Sequence, residues 1–357
     1  MDPKQLTLIT ALRHSLHSCA ELSGEERETA RVLKAFLAEH TTLELRDIGS
    51  GRGFYAAHRE PGAAEGILLR ADDDALAVPG GAAHLCGHDG HAAALCGVAL
   101  ALEGVTLGKD VFLLFQPAEE TGAGAAPCCA IFDRERVTAV YGCHNLPGFP
   151  FGRVLTRTGT FACASRGVTL RFRGAATHAA YPELGRNPAP AVGALLTRLD
   201  DLADASRYTG MTLCTVIGAR MGEKAFGAAA ADAEVWLTLR AEHNADLERL
   251  RNAVMTEAEA LAAAHGLGFG AEEQDVFPAT ENDEACARHV MAVCDALPLA
   301  VPMRWSEDFG HYLLHRPGAF FGIGAGEEHP GLHTEHYEYP DALLEPTCGA
   351  FLRIINA

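Results

Sequence analysis

The hydrophobic positions of the chain fall into two patterns. Before residue 163 and after residue 277, short apolar runs end abruptly in polar residues, as is typical of strands buried on both faces of a parallel sheet. These runs lie at residues 66–70, 111–115, 138–142 and 319–323. Helical patterns separate them. This part of the sequence therefore predicts an α/β fold with a central, mostly parallel sheet flanked by helices.

Two helix starts can be located in the first part of the chain. Ser23 and Glu26 have the spacing of a capping box, so we expect a helix that runs from there toward His40. Asp89 is predicted to cap an alanine-rich helix over residues 91–102.

The middle of the chain has a different pattern. Apolar and polar residues alternate there, as in a sheet with one buried and one solvent-exposed face. The alternating segments are residues 168–173, 211–217 and 234–240, with a closing strand near 269–277 and amphipathic helices at 189–202 and 245–265. The order strand, helix, strand, strand, helix, strand predicts an α+β, ferredoxin-like unit. We expect a lid or dimerisation domain at 164–276, inserted into a discontinuous catalytic, metal-binding domain at 1–163 and 277–357.

Composition and charge narrow the class of protein. The chain has 357 residues, with 29 Lys and Arg against 47 Asp and Glu, so its formal charge is −18. This excess of negative charge disfavours nucleic acid as a partner. No apolar stretch reaches the roughly 18 residues of a membrane helix, and we expect neither a signal peptide nor an anchor. The 11 cysteines show no disulfide pattern, which favours free thiols in the cytoplasm.

Side chains that could bind metal ions or act in catalysis follow the apolar runs. The carboxyl ends of parallel strands meet at one edge of a sheet, and ligands gather there. Ten residues with such side chains follow the apolar runs or lie at the start of the helix between the first and second runs. They are Asp72, Asp73, Asp74, Cys86, His88, His91, Glu119, Glu120, His144 and His333. Such a mixture of imidazole, carboxylate and thiolate suits zinc, with manganese, nickel or cobalt as alternatives.

The spacing of these residues suggests which role each side chain has. Cys86 and His88 are two residues apart, so both can bind one ion from an extended loop, and His91 could face that ion from the first helical turn. Glu119 and Glu120 are adjacent and are expected to point to opposite sides, one toward a metal and the other toward substrate as a base. We expect Asp74 to hold a neighbouring histidine. Taken singly, each motif also has an ordinary structural explanation, such as a solvated surface for the glutamates.

Several segments resemble one known family, in order along nearly the whole chain. They are Leu69-Arg70-Ala71-Asp72-Asp73-Asp74-Ala75-Leu76, Cys86-Gly87-His88-Asp89-Gly90-His91, Phe115-Gln116-Pro117-Ala118-Glu119-Glu120, His144-Asn145, Thr177-His178-Ala179-Ala180-Tyr181-Pro182 and Ser306-Glu307-Asp308-Phe309. They look like the metal-dependent aminoacylase and amidohydrolase family, which includes hippurate hydrolases and plant auxin-conjugate hydrolases. The resemblance implies a zinc-exopeptidase-like catalytic domain.

The resemblance also implies a site and an activity. Two divalent metals, Zn²⁺ or Mn²⁺ with Ni²⁺ or Co²⁺ possible, would be held by Cys86, His88, Glu120, His144 and His333. Glu119 would be the general base, and His178 would be the lid histidine that stabilises the oxyanion, in many relatives from the other subunit of a dimer. The expected activity is hydrolysis of the amide bond of N-acyl amino acids by a homodimer.

One segment departs from the family pattern. Relatives commonly carry Asn-Val-Ile-Pro-Asp in the lid, whereas the ungapped equivalent here is Gly227-Ala228-Ala229-Ala230-Ala231. A side-chain amide that helps to hold the substrate is therefore missing. A dipeptidase or carboxypeptidase with the same chemistry is an alternative, as is an inactive metal- or ligand-binding relative. The acyl group, the amino acid and the physiological metal are left open.

Overall fold

The computed structural model describes residues 1–49 and 51–357, which form two compact units. The first unit comprises Met1–Phe161, Thr280–Pro302 and Glu307–Ala357, and the second comprises Ala162–Ala279 and Met303–Ser306. Each unit has its own cluster of buried apolar side chains. The short return of the chain to the second unit at Met303–Ser306 was not foreseen from the sequence.

The first unit contains eight of the described α-helices. Numbered in chain order, they are α1 (Pro3–Ser18), α2 (Arg27–His40), α3 (His88–Leu102), α4 (Ala125–Cys128), α5 (Ile131–Arg134), α8 (Glu284–Cys294), α9 (Gly310–Leu313) and α10 (Leu344–Asn356). Every residue of α3 except Ala101 is buried, so this helix lies inside the unit. A short 3₁₀ turn at Asp341–Leu343 precedes α10.

Most strands of the first unit belong to one mixed sheet of eight strands, in the order β1-β2-β6-β3-β7-β18-β8-β17. The strands are β1 (Glu44–Ile48), β2 (Gly53–His58), β3 (Gly66–Asp72), β6 (Asp110–Gln116), β7 (Ala139–Pro147), β8 (Val154–Thr156), β17 (Leu297–Pro298) and β18 (Gly318–Gly326). The strands outside this sheet are β4 (Leu76–Val78), β5 (Gly81–Ala83), β9 (Gly159–Ala162) and β16 (Thr280–Asn282).

The four apolar runs of the sequence form the centre of this sheet. They are β6, β3, β7 and β18, which are neighbours and run parallel to one another. The prediction of an α/β fold around such a sheet is confirmed. The flanking pairings β1 with β2, β2 with β6, and β18 with β8 are antiparallel, so the sheet as a whole is mixed.

Both predicted helix caps are wrong, although the helices exist. Glu26 precedes α2 without a capping side chain, and the hydroxyl of Ser23 donates to Asp74 Oδ2 at 2.6 Å instead. Helix α3 begins at His88 after Gly87, so Asp89 lies inside the first turn. Its carboxylate contacts Arg13 and is therefore engaged in a tertiary contact.

The second unit is an antiparallel sheet with two helices. Its elements are β10 (Ala164–Arg173), β11 (Thr177–His178), α6 (Ala189–Leu202), β12 (Thr212–Met221), β13 (Ala228–Ala229), β14 (Asp232–Ala241), α7 (Asn244–Ala264) and β15 (Gly268–Phe277), with 3₁₀ turns at Pro182–Leu184 and Ala205–Arg207. Four strands pair in the order β12-β14-β10-β15. Strands β11 and β13 form a separate two-stranded ladder. The role of this unit as a lid or dimerisation domain stays a prediction.

Two expectations from the sequence concern membrane helices and disulfides. None of the described helices combines the length and the apolar character that crossing a membrane requires. In the part of the chain that the structure describes, none of the 11 cysteines forms a disulfide.

Candidate metal centre

Side chains that are far apart in the sequence converge at one edge of the large sheet. Among the described residues, five groups place one ligand atom per residue within 4.8 Å of one another. Three of these consist only of proposed ligands and the proposed base, and Cys86 belongs to two of the three. These three groups are Cys86 with His88 and His144, Cys86 with Glu120 and His333, and His88 with Glu119 and Glu120. The structure thus brings together all five proposed metal ligands and the proposed base.

A glycine makes the Cys86 loop possible. Gly87 has φ +94°, a conformation that favours glycine, and a Cβ there would lie 2.5 Å from Asn145 Oδ1 and from Tyr337 Oη. The chain can therefore turn directly from Cys86 into α3, which begins with His88. As a result the thiol and the imidazole both face the same small volume.

The hydrogen bonds of two histidines direct Nε2 of each ring at this volume. His88 Nδ1 donates to Asp74 Oδ1 at 2.8 Å, and His144 Nδ1 donates to the carbonyl of Asn145 at 2.8 Å. In the neutral ring the other nitrogen, Nε2, then carries the lone pair. Nε2 of His144 lies 3.3 Å from Cys86 Sγ. Burial lowers the pKa of His144 well below its usual range, which favours this neutral, metal-binding form.

His333 approaches from the loop that follows β18. Its Nε2 lies 3.3 Å from Cys86 Sγ and 3.5 Å from Glu120 Oε1. The residue has φ +62°, and its amide donates to the carbonyl of Leu85 at 2.8 Å. A positive φ costs about 1–3 kcal/mol for a non-glycine residue, so the surrounding contacts must maintain this conformation.

The two adjacent glutamates do not point apart as predicted. A carboxylate oxygen of Glu119 and one of Glu120 lie within 4.8 Å of each other and of a ring nitrogen of His88. The reason is the backbone before them: Ala118 has φ +57°, and its amide donates to the buried carboxylate of Glu26 at 2.9 Å. This bend breaks the alternation expected of an extended strand end.

Glu119 lies among other buried acids. Burial raises the pKa of its carboxyl well above the usual range, and the nearby charges of Glu307 and Asp308 raise it further. The backbone amide of Asp308 donates to Glu119 Oε1 at 3.4 Å. A carboxyl in such surroundings accepts a proton readily, as a general base must.

The sequence did not reveal the buried cation behind these acids. Arg70 is fully buried, and its guanidinium lies 2.7 Å from Asp72, 2.7 Å from Asp308 and 2.9 Å from Glu307. A charged residue inside the apolar run of β3 was the signal that could have identified it.

His91 lies beside His88, as the spacing suggested, and a ring nitrogen of each lies within 4.8 Å of the other and of a carboxylate oxygen of Asp72. Nδ1 of His91 lies 2.5 Å from Asp72 Oδ1 and its Nε2 lies 2.6 Å from Asn145 Oδ1. Both ring nitrogens therefore hold neighbouring polar groups. Through Asn145, whose amide contacts Tyr337 Oη at 2.6 Å, the ring supports the end of β7 beside His144.

His178 lies in the second unit, in the short strand β11. Its side chain is exposed, and its ring lies 5.9 Å from that of Tyr181. The structure thus places this predicted site residue in a different unit from the other six and from Asp74.

Comparison with known proteins identifies the family. The profile of Peptidase family M20/M25/M40 matches residues 68–357. The chain belongs to this family. The resemblance derived from the motifs is confirmed, and the protein is a hydrolase.

Individual relatives cover most of the chain. It is 29% identical to the N-acetyl-L-cysteine deacetylase of Bacillus subtilis, over 91% of this chain and 82% of the relative. It is 28% identical to an IAA-amino acid hydrolase of Arabidopsis thaliana, over 94% of this chain and 82% of the relative. A dinuclear metal-binding peptidase of Bacillus subtilis shares the fold with a TM-score of 0.83 at 23% identity, over 99% and 98% of the two chains.

Proposed function

We propose that the protein hydrolyses the amide bond of N-acyl amino acids with two divalent metal ions and Glu119 as general base. The observation that carries the proposal is the convergence of Cys86, His88, Glu120, His144 and His333 beside Glu119. Relatives named as a deacetylase and an amino acid hydrolase support the same reaction class.

Two buried atoms indicate that the site fits metal ions. Nε2 of His88 and Oε1 of Glu120 are both buried without a hydrogen-bond partner among the described residues, and they lie 3.8 Å apart. An unpaired buried polar atom is costly, whereas bound cations would give both atoms a partner. The mixed nitrogen, oxygen and sulfur donors suit Zn²⁺ or Mn²⁺, with Ni²⁺ or Co²⁺ as alternatives.

The five residues divide around the Cys86 sulfur. His88 and His144 lie with it in one group, and Glu120 and His333 lie with it in the other. Cys86 would therefore hold the ions together with the other four residues. Bound divalent metals supply a water of lowered pKa and polarise the substrate carbonyl.

Glu119 carries the proton transfers in this proposal. It takes a proton from the attacking water and passes it to the leaving nitrogen, so the same carboxyl acts first as base and then as acid. A positioned group of this kind contributes a factor of about 10²–10⁴ to the rate.

We assign His178 the role of oxyanion donor. A donor to a developing oxyanion contributes about 2.7–4 kcal/mol to lowering the barrier. The residue would come from the second unit, either of the same chain or of a second copy.

A homodimer through the second unit is part of the proposal. Strand β12 is an edge strand, because it pairs with β14 on one side and with no other described strand. Val216 and Ile217 on it are 45% and 62% exposed. A second copy of the strand would pair its open edge and cover these apolar side chains. Ile217→Lys should convert the dimer to a monomer in analytical ultracentrifugation, whereas Val301→Lys, an exposed site of the first unit, should not.

Glu119→Ala tests the proposed reaction. Metal content should stay at about two ions per chain by elemental analysis, while hydrolysis of N-acetyl and N-benzoyl amino acids falls by a factor of about 10²–10⁴. Retained activity would remove Glu119 from the role of base. Cys86→Ala should lower metal occupancy, and unchanged occupancy would make Cys86 a structural residue.

A substrate panel distinguishes the remaining alternatives. If dipeptides are hydrolysed and N-acyl amino acids are not, the protein is a peptidase with the same chemistry. If metal is bound and neither class is hydrolysed, it is an inactive relative. Free thiols agree with a reducing compartment, and we propose the cytoplasm.

A further inference from the structure

The backbone around His178 is held by a small ladder. Strand β11 pairs with β13 in antiparallel fashion, so that His178 faces Ala228, and the amide of Ala179 donates to the carbonyl of Gly227 at 3.0 Å. At the base of the same loop, Ala175 and Arg186 exchange two backbone hydrogen bonds, at 3.0 and 2.9 Å. The imidazole therefore projects from a fixed backbone although its side chain is exposed.

One hydrogen bond determines where the imidazole carries its proton. The backbone amide of Ala180 donates to Nδ1 of His178 at 3.1 Å. A backbone amide can only donate, so Nδ1 must present its lone pair. The neutral ring then carries its proton on Nε2, the nitrogen at the far end of the ring.

The segment Gly227–Ala231 offers the imidazole of His178 no side-chain hydrogen-bond partner. Gly227-Ala228-Ala229-Ala230-Ala231 has only methyl groups and hydrogen as side chains, and Ala228 is the residue that pairs with His178. Among the residues that the structure describes, no side chain hydrogen bonds to the imidazole of His178. The tautomer therefore depends on the amide of Ala180.

We propose that the backbone amide of Ala180 is a positioning group, which fixes His178 in the Nε2–H tautomer so that it enters the reaction as a hydrogen-bond donor. The catalytic part of this inference rests on the proposed function. The tautomer does not, because it can be observed without turnover.

The first test is ¹⁵N NMR of the full-length protein labelled at histidine, under alkaline conditions that keep the ring neutral. His178→Gln identifies the resonances of His178 by their loss. We expect Nδ1 in the unprotonated range and Nε2 in the protonated range. The reverse assignment, or a rapid average of both tautomers, would overturn the inference.

A pair of variants tests the Ala180 amide directly. Ala180→Pro removes the N–H and should give a mixture of tautomers, while Ala180→Gly keeps the N–H and should leave the spectrum of His178 unchanged. An unchanged tautomer in a folded Ala180→Pro protein would contradict the role of the amide.

A second pair remains informative if Ala180→Pro does not fold. Glutamine at position 178 can place an amide N–H₂ near the position of Nε2, whereas asparagine places it near that of Nδ1. We expect kcat/KM of His178→Gln to exceed that of His178→Asn at least tenfold. Equal or greater activity of His178→Asn would overturn the donor role. Failure of the proposed function itself would instead appear as an inactive wild type with an intact NMR tautomer.

Discussion

Oδ1 of Asp74 lies 2.8 Å from Nδ1 of His88, and Oδ2 of the same carboxylate accepts the amide of Glu120 at 3.0 Å. One buried side chain thus orients two of the proposed ligands. Burial raises the pKa of Asp74, but the hydrogen bonds from His88 and Ser23 outweigh it, so the net shift is downward and the carboxylate is ionised.

Asp74→Asn should therefore weaken metal binding about 10–100-fold, because the amide no longer fixes the imidazole as a carboxylate does. Competition with a chromophoric chelator measures this affinity. Ser23→Ala is the matched control, since it removes one hydrogen bond to Asp74 and keeps the carboxylate; its effect should be smaller. Unchanged affinity in Asp74→Asn would exclude the orienting role.

Arg70→Met should destabilise the protein by about 3–5 kcal/mol, because Asp72, Glu307 and Asp308 lose their shared buried cation. Urea unfolding measures the free energy of unfolding. Arg171→Met is a suitable control: this arginine also contacts two carboxylates, those of Glu234 and Glu272, but on the surface, so its effect should be much smaller. Similar losses in the two variants would contradict the importance of burial.

Gly90→Ala should lower stability by about 1–3 kcal/mol or more through overpacking. A Cβ at this position in α3 would lie 2.3 Å from the ring of Tyr339, so the ring or the helix must shift. Gly193, inside α6, has no atom within 4 Å of the corresponding position. Gly193→Ala should instead raise stability by about 0.5–1 kcal/mol through helix propensity. Thermal unfolding of the two variants should therefore change in opposite directions.

His17 should make stability depend on pH. Its hydrogen bond to Asp89, 2.8 Å long, raises the pKa of the imidazole, although partial burial opposes this. A raised pKa in the folded state stabilises the protein below the unfolded value of about 6.5, and this contribution is lost as the pH rises through the folded pKa.

His17→Gln should thus lower the free energy of unfolding more near pH 6 than near pH 9. Because the side chain is partly exposed, the difference should not exceed about 1 kcal/mol. Denaturant unfolding of both proteins at the two pH values is the measurement. An effect that is equal at both values would mean that the ion pair with Asp89 contributes nothing.

The hydrophobic pattern predicted the helices and strands well where the burial of apolar side chains alone determines them. The four apolar runs became the parallel centre of the sheet, and α6 begins and ends where its pattern does, at Ala189 and Leu202. Caps were predicted poorly, because Ser23 and Asp89 contact residues far along the chain instead of the local backbone. Local spacing carries no information about such contacts.

The sequence by itself determined the family, the α/β fold class and the kinds of donor at the site, since each depends on residue types in order along the chain. Only the tertiary structure decided which donors meet. It turned Glu119 and Glu120 toward the same volume, engaged His91 with Asp72 and Asn145, and placed Arg70 among three acids. The physical reason is that these contacts depend on the order of the strands, on the left-handed backbone conformation of Ala118 and on distances across the sheet. The spacing of residues along the chain determines none of these.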